Sequence, residues 1–215
     1  VPASFSLLLC ARQVLRTLLE NRYLYMRRGS VPKSRHWGWH TIDELPESQW
    51  RVFMRMLRGC LGSVDGTIIP LAYAPSYQPW TFWDRHDNYS MHLLVATDHQ
   101  RNIISATLGF TGAAGDALVQ RHAEWERQPQ LHFSHLEHLL GDKGMHRTAH
   151  VVCPYMGEAA KTTENVNFNF QLARLRVIAE HVIGLLKGRW ESLRKLRTQI
   201  AGEKDIKLAM AWILA

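Results

Sequence analysis

The spacing of apolar positions changes along the chain. Over residues 5–27, Leu8, Val14, Leu15, Leu18, Leu19 and Leu24 recur at helical spacing among Arg and Glu, which predicts an amphipathic helix. A basic loop with Gly and Pro breakers, RRGSVPKSRHWGWH, follows. Pro46 and Glu47 suit the first turn of a second helix, with Trp50, Phe53, Met54 and Leu57 on its apolar face. From residue 61 the pattern turns β-like. LGSVDGTIIPL (61–71) reads as a strand, and MHLLVATD (91–98) and NIISATLGF (102–110) read as a hairpin closed by the polar loop DHQRN. GDALVQRHAEW (115–125) predicts a short helix, the run ending HLL before Gly141 a strand, and HVVCPY another strand stopped by Pro154. One long helix is expected from about Gln171 to Leu196 and a final one over EKDIKLAMAWILA. This order predicts an α/β fold, a mixed sheet flanked by helices over residues 61–215, preceded by a helical segment over 1–60.

Composition narrows the functional classes. At 46% hydrophobic and 21% charged residues, the chain can bury a core and does not read as disordered. Its net charge of +7 favours an anionic partner, nucleic acid first and an acidic membrane surface second. No run of 18 apolar residues exists, which argues against a membrane-spanning helix. FSLLLCA is short and is soon followed by Arg12 and Arg16, so it reads as a helix start rather than a signal peptide. Both ends read as cuts from a longer protein. Cys10, Cys60 and Cys153 are scattered, with no CxxC pair, which supports neither a disulfide framework nor a zinc ribbon and fits a reducing compartment. His132, His135 and His138 in HFSHLEH lack a Cys partner or an HExxH context and read as surface or structural histidines.

Candidate chemistry rests on isolated carboxylates. Asp65 interrupts an apolar strand, and a carboxylate there is costly unless paired or bound to a metal; Asp65-Gly66 is also an ordinary turn signal. Asp142 follows the later strand directly after Gly141, where a turn role is equally open. Glu180 lies in the long helix on a stripe with Arg176, Gly184, Lys187 and Glu191, opposite Leu175, Ile178, Val182, Leu185 and Leu193. A solvated face with ion pairs four residues apart is the plain alternative for it. Phosphoryl transfer on nucleic acid calls for such residues. Magnesium takes hard oxygen ligands, and two ions supply charge neutralisation and in-line geometry.

Four blocks, in order, carry a resemblance: GSVDGTIIPL, NYSMHLLVATDHQRNI, LLGDKGM with Pro154-Tyr155, and FNFQLARLRVIAEHVIGLLKGRW. Together they resemble the catalytic domain of PIF/Harbinger-type transposases, DDE superfamily endonucleases, in the flavour of fungal copies. The resemblance covers roughly residues 61–215. It implies an RNase H-like fold in which Asp65, Asp142 and Glu180 are the catalytic, metal-binding triad, with two Mg²⁺ or Mn²⁺ ions. Asp65 would lie on the central first strand, Asp142 at the end of the fourth and Glu180 on a helix packed on the sheet. Crowded carboxylates repel one another, so the empty site should hold a proton or a cation. Asp116 matches a further acidic position, either a ligand neighbour or a helix N-cap. His181, Lys187 and Arg189 are candidates for holding DNA phosphates. The chain departs from the family pattern at Gly115, where a His is usual, at Met145, where an aromatic is usual, and in the short region before Asp65. The resemblance further implies DNA as substrate, a Myb-like partner protein encoded by the same element, a homo-oligomer, and a nuclear location. A non-catalytic DNA-binding or protein-interaction descendant is the alternative; a ribonuclease with the same metal chemistry is a third. Trp80, Phe82 and Trp83 beside Arg85 suit either base stacking or a loop packed on its own aromatics.

Overall fold

The computed structural model describes residues 58–214. The two helices expected over 5–27 and from Pro46 lie outside the described residues. Strand β1 spans Cys60–Pro70, β2 Ser90–Thr97, β3 Ile103–Thr111, β4 His138–Leu140 and β5 Val151–Val152. They form one mixed sheet in the order β3-β2-β1-β4-β5. β1 is therefore central, antiparallel to β2 and parallel to β4. The helices are α1 (Pro79–Phe82), α2 (Asp116–His122), α3 (Glu124–Arg127), α4 (Pro129–His132), α5 (Thr163–Arg189) and α6 (Glu203–Leu214). The expected hairpin and the mixed α/β architecture are present.

Alternation along β1 sorts the core into two layers. Val64, with Leu94 and Ala96 of β2, packs against Val119, Trp125 and Val151. Ile69 and Leu71, with Met91, Leu93 and Val95, pack against Leu193, Leu196, Ile200 and Ala209. All eight residues of β2 are buried, as expected of a strand paired on both sides and covered on both faces.

Helix α5 starts and ends earlier than the apolar spacing predicts. Thr162 caps its N-terminus, its Oγ1 accepting from the Asn165 N–H. The first turns, TENVNFNF, carry few aliphatic residues, so periodicity does not reveal them. The helix stops at Arg189, and Glu191–Leu193 forms a 3₁₀ turn instead of continuing it. Three ties lay α5 along β1: Ser63 Oγ donates to Leu175 O (3.3 Å), Arg176 reaches Asp65, and Lys187 Nζ donates to Ile68 O (2.7 Å). Beyond α5 the chain continues in the same direction, and Leu196 pairs in parallel with Leu71. Of the three histidines of HFSHLEH, His132 ends α4, His135 lies in a turn and His138 begins β4, so they share no helix face. In the aromatic loop Phe82 is buried and Trp83 meets Tyr89 edge-on at 4.9 Å, while Trp80 stays exposed. No helix among the described residues is long and apolar enough to cross a membrane.

Candidate active site

The site forms where β4 ends and β1 runs on without it. β4 pairs with β1 only as far as Ser63, so among the described residues the next part of β1 has no strand on that side. Asp65 projects there, on the α5 face of the sheet, opposite Val95 in register. The chain leaves β4 at Leu140, and Gly141 carries it to Asp142. A Cβ at Gly141 would stand 2.8 Å from Val151 Cγ1 and 3.0 Å from Met145 Sδ, so any larger residue would push these side chains aside.

Arg176 of α5 holds the two acids together. Its guanidinium donates through Nη1 to Asp142 Oδ1 (3.0 Å) and through Nη2 to Asp65 Oδ1 (3.1 Å). Arg176 is buried, and its Nε finds no acceptor among the described residues. Sequence spacing put Arg176 on the polar stripe with Glu180; the structure buries it, because its charge is matched from two sides. Crowded carboxylates are expected to hold a proton or a cation, and between Asp65 and Asp142 a cation is present in this side chain. The available signal was an Arg one turn before Glu180 on the same helix face.

Burial pushes the Asp65 carboxyl up to about 6, against the pull of the Arg176 guanidinium. The charges of Glu180, Asp142 and Asp116 push it in the same upward direction. Glu180 itself is exposed on α5, one turn beyond Arg176. Asp65, Asp142 and Glu180 thus belong to one electrostatic neighbourhood. Among the described residues, no three His, Cys, Asp or Glu side chains gather closely enough to hold a single ion.

Asp116 is the first residue of α2, with Gly115 in the N-cap position, so the N-cap reading of Asp116 is corrected. Its carboxylate lies 3.0 Å from His92 Nε2, and His92 Nδ1 lies 2.9 Å from Ala114 O. The bond to His92 holds the Asp116 carboxyl below the ordinary carboxylate range. Gly66 and Gly144 make room for it, since a Cβ at either would fall 1.8 Å and 3.0 Å, respectively, from an Asp116 oxygen. Gly66 faces the sheet side opposite Asp65, so Asp116 acts on Asp65 through its field across the strand. His92, which sequence reasoning missed, is a polar residue inside the apolar run MHLLVAT.

Of the phosphate-holding candidates, Lys187 is half-buried and spends its ammonium on Ile68 O; burial lowers its pKa. Arg189 lies over the Trp190 ring at 5.3 Å. His181 is half-buried on α5.

The site thus joins an acid on the central strand to one at a strand end through a buried arginine of the covering helix. Residues 64–215 match the DDE superfamily endonuclease family, and the chain belongs to that family. No curated protein and no solved structure matches the chain.

Proposed function

We propose that this domain cleaves DNA phosphodiester bonds as the endonuclease of a PIF/Harbinger-type transposase, on an RNase H-like fold. The observation that carries the reading is the sharing of one guanidinium by Asp65 and Asp142, two acids delivered by separate strands. The donor chemistry fits hard divalent ions in its carboxylate oxygens, two from Asp65 and Asp142 and a third acid in Glu180, and an ion there would compete with Arg176 for the first two. Asp65, Asp142 and Glu180 would hold Mg²⁺ or Mn²⁺. Paired ions there would activate the attacking water and neutralise charge on the phosphate.

The chain's own residues prepare that chemistry. Asp65, at about 6, is mostly ionised at neutral pH and available to a cation. Arg176 keeps the two carboxylates from separating by repulsion. Glu180 stands on the solvent side, where a phosphate must enter. The nuclear location, the Myb-like partner, self-association and the boundary near residue 60 belong to the same proposal.

The test is nicking of plasmid DNA by the purified chain in Mg²⁺ or Mn²⁺, with Asp65→Ala, Asp142→Ala and Glu180→Ala beside it. Loss of nicking in each folded variant is expected. Equal nicking by wild type and all three variants refutes the assignment. A non-catalytic descendant is the second reading, and Arg176 itself favours it, since a guanidinium can serve as the permanent counter-ion. Calorimetry with Mn²⁺ separates the two: the second reading requires no binding to the folded chain.

A further inference from the structure

Beyond Arg189 the chain is densely cationic. Segment 187–198 carries Lys187, Arg189, Arg194, Lys195 and Arg197 against the single acid Glu191. Past the 3₁₀ turn Glu191–Leu193 this segment buries Leu193 and Leu196 against the sheet and leaves Arg194, Lys195 and Arg197 exposed. Helix α6 adds Trp212, whose side chain is half exposed. Between them lies a cleft of about 540 Å³ lined by Arg194, Lys195 and Arg197, by Ser192 and Thr198 and by Trp212, with Glu191 the one acid in its wall.

The cations differ in what they already do. Lys187 is spent on Ile68 O, and Arg194 Nε donates to Lys187 O (2.9 Å). Lys195 and Arg197 engage no partner among the described residues. A cleft with two uncommitted cations, hydroxyls from Ser192 and Thr198 and an aromatic wall suits a phosphodiester backbone. The cations neutralise phosphates, the hydroxyls donate to their oxygens, and the indole face covers sugar or an unpaired base.

Its position gives it a role. Leu196, in the cleft wall, pairs with Leu71, and Leu71 and Asp65 share one face of β1. Six residues of strand separate them, about 20 Å. That span equals about six base pairs of duplex at 3.4 Å per pair.

We infer that this cleft is a DNA-backbone subsite that grips the duplex about 20 Å from the reacting phosphate. The inference rests on the reading of DNA as substrate and adds where the chain holds it away from the acids. Arg197 and Lys195 carry the phosphate contacts, and Trp212 closes the wall.

The experiment is fluorescence anisotropy of a labelled 30-base-pair duplex with the full chain in EDTA, over a salt series. The variant Lys195→Gln/Arg197→Gln should bind at least about tenfold more weakly at 0.1 M salt. The slope of log affinity against log salt should fall by about 1.8, two phosphate contacts' worth. Circular dichroism checks the fold, and Arg197→Gln alone, expected to lower the slope by about 0.9, serves if the double variant does not fold. Unchanged affinity and slope overturn the inference, as does a wild type that binds no DNA. Tighter binding of an RNA duplex of the same sequence overturns the assignment to DNA. Because binding is read without metal, the two proposals fail separately. A reduced slope without nicking keeps the subsite and removes the nuclease; nicking with an unchanged slope does the reverse.

Discussion

Asp65→Asn should make the metal-free domain more stable, by an amount that grows with pH. Burial lifts the folded carboxyl to about 6 from its ordinary 3.8. Below pH 4 the acid is protonated in both folded and unfolded chains. Between 4 and 6 the unfolded chain releases a proton that the folded chain keeps, so the wild type loses stability steadily as pH rises. Above 6 both states are ionised and the loss is complete. Asn imitates the neutral acid at every pH and keeps an oxygen for Arg176. The interval from 3.8 to about 6 corresponds to about 3 kcal/mol at 1.36 kcal/mol per unit. The carboxyl is 19% exposed, and solvent screening brings the expected gap to about 2 kcal/mol. Glu180, Asp142, Asp116 and Arg176 face Asp65 in both proteins, so their own titrations largely cancel in the comparison. Urea unfolding in EDTA from pH 4 to pH 8 measures the gap. The reasoning is refuted if the variant is no more stable than wild type at pH 8, or if the gap does not widen with pH.

Three other substitutions probe separate parts of the site. Arg176→Met leaves Asp65 and Asp142 without their cation; it should cost about 3 kcal/mol in EDTA at pH 7.5 while enlarging the rise in thermal midpoint caused by Mn²⁺. Wild-type values for both would show that the guanidinium is not the acids' counter-ion. Gly66→Ala places a Cβ 1.8 Å from Asp116 Oδ1 and 3.0 Å from His92 Nε2, so the pair must part, at a cost of about 1–3 kcal/mol. Thermal unfolding and the His92 ring resonances report it, and unchanged resonances would count against the pairing. Lys187→Met should lose about 1 kcal/mol of stability through the Ile68 carbonyl, with DNA affinity nearly unchanged; a tenfold loss of affinity would show that its ammonium meets phosphate instead.

The long strands were legible because each carries a β-type run between polar turns, and Asp65 stood out as a carboxylate inside such a run. Asp142 was legible from its place after HLL and a glycine. The reach of α5 was not, because Val166, Phe168 and Phe170 alternate with asparagines in a β-like period of two, and the end of the helix is set by the 3₁₀ turn after Trp190. Arg176 was hidden for a different reason. Helical spacing assigns a charged residue to solvent, and only the meeting of β1, the Asp142 loop and α5 supplies the two acids that let it be buried. His92 was hidden likewise, since its partner Asp116 lies a hairpin away in sequence.

The two acids that share Arg176 come from scaffolds of unequal firmness. β1 pairs with β2 over eight residues, and β2 is buried along its whole length. Amides there should exchange with deuterium only through global unfolding. The Asp142 loop hangs from a three-residue strand that is paired with a two-residue one. Its amides should exchange through local openings that leave the rest of the sheet intact. The distance between the carboxylates is then governed by the weaker of the two supports. A cation binding both acids would slow exchange around Asp142 while leaving β2 unaltered.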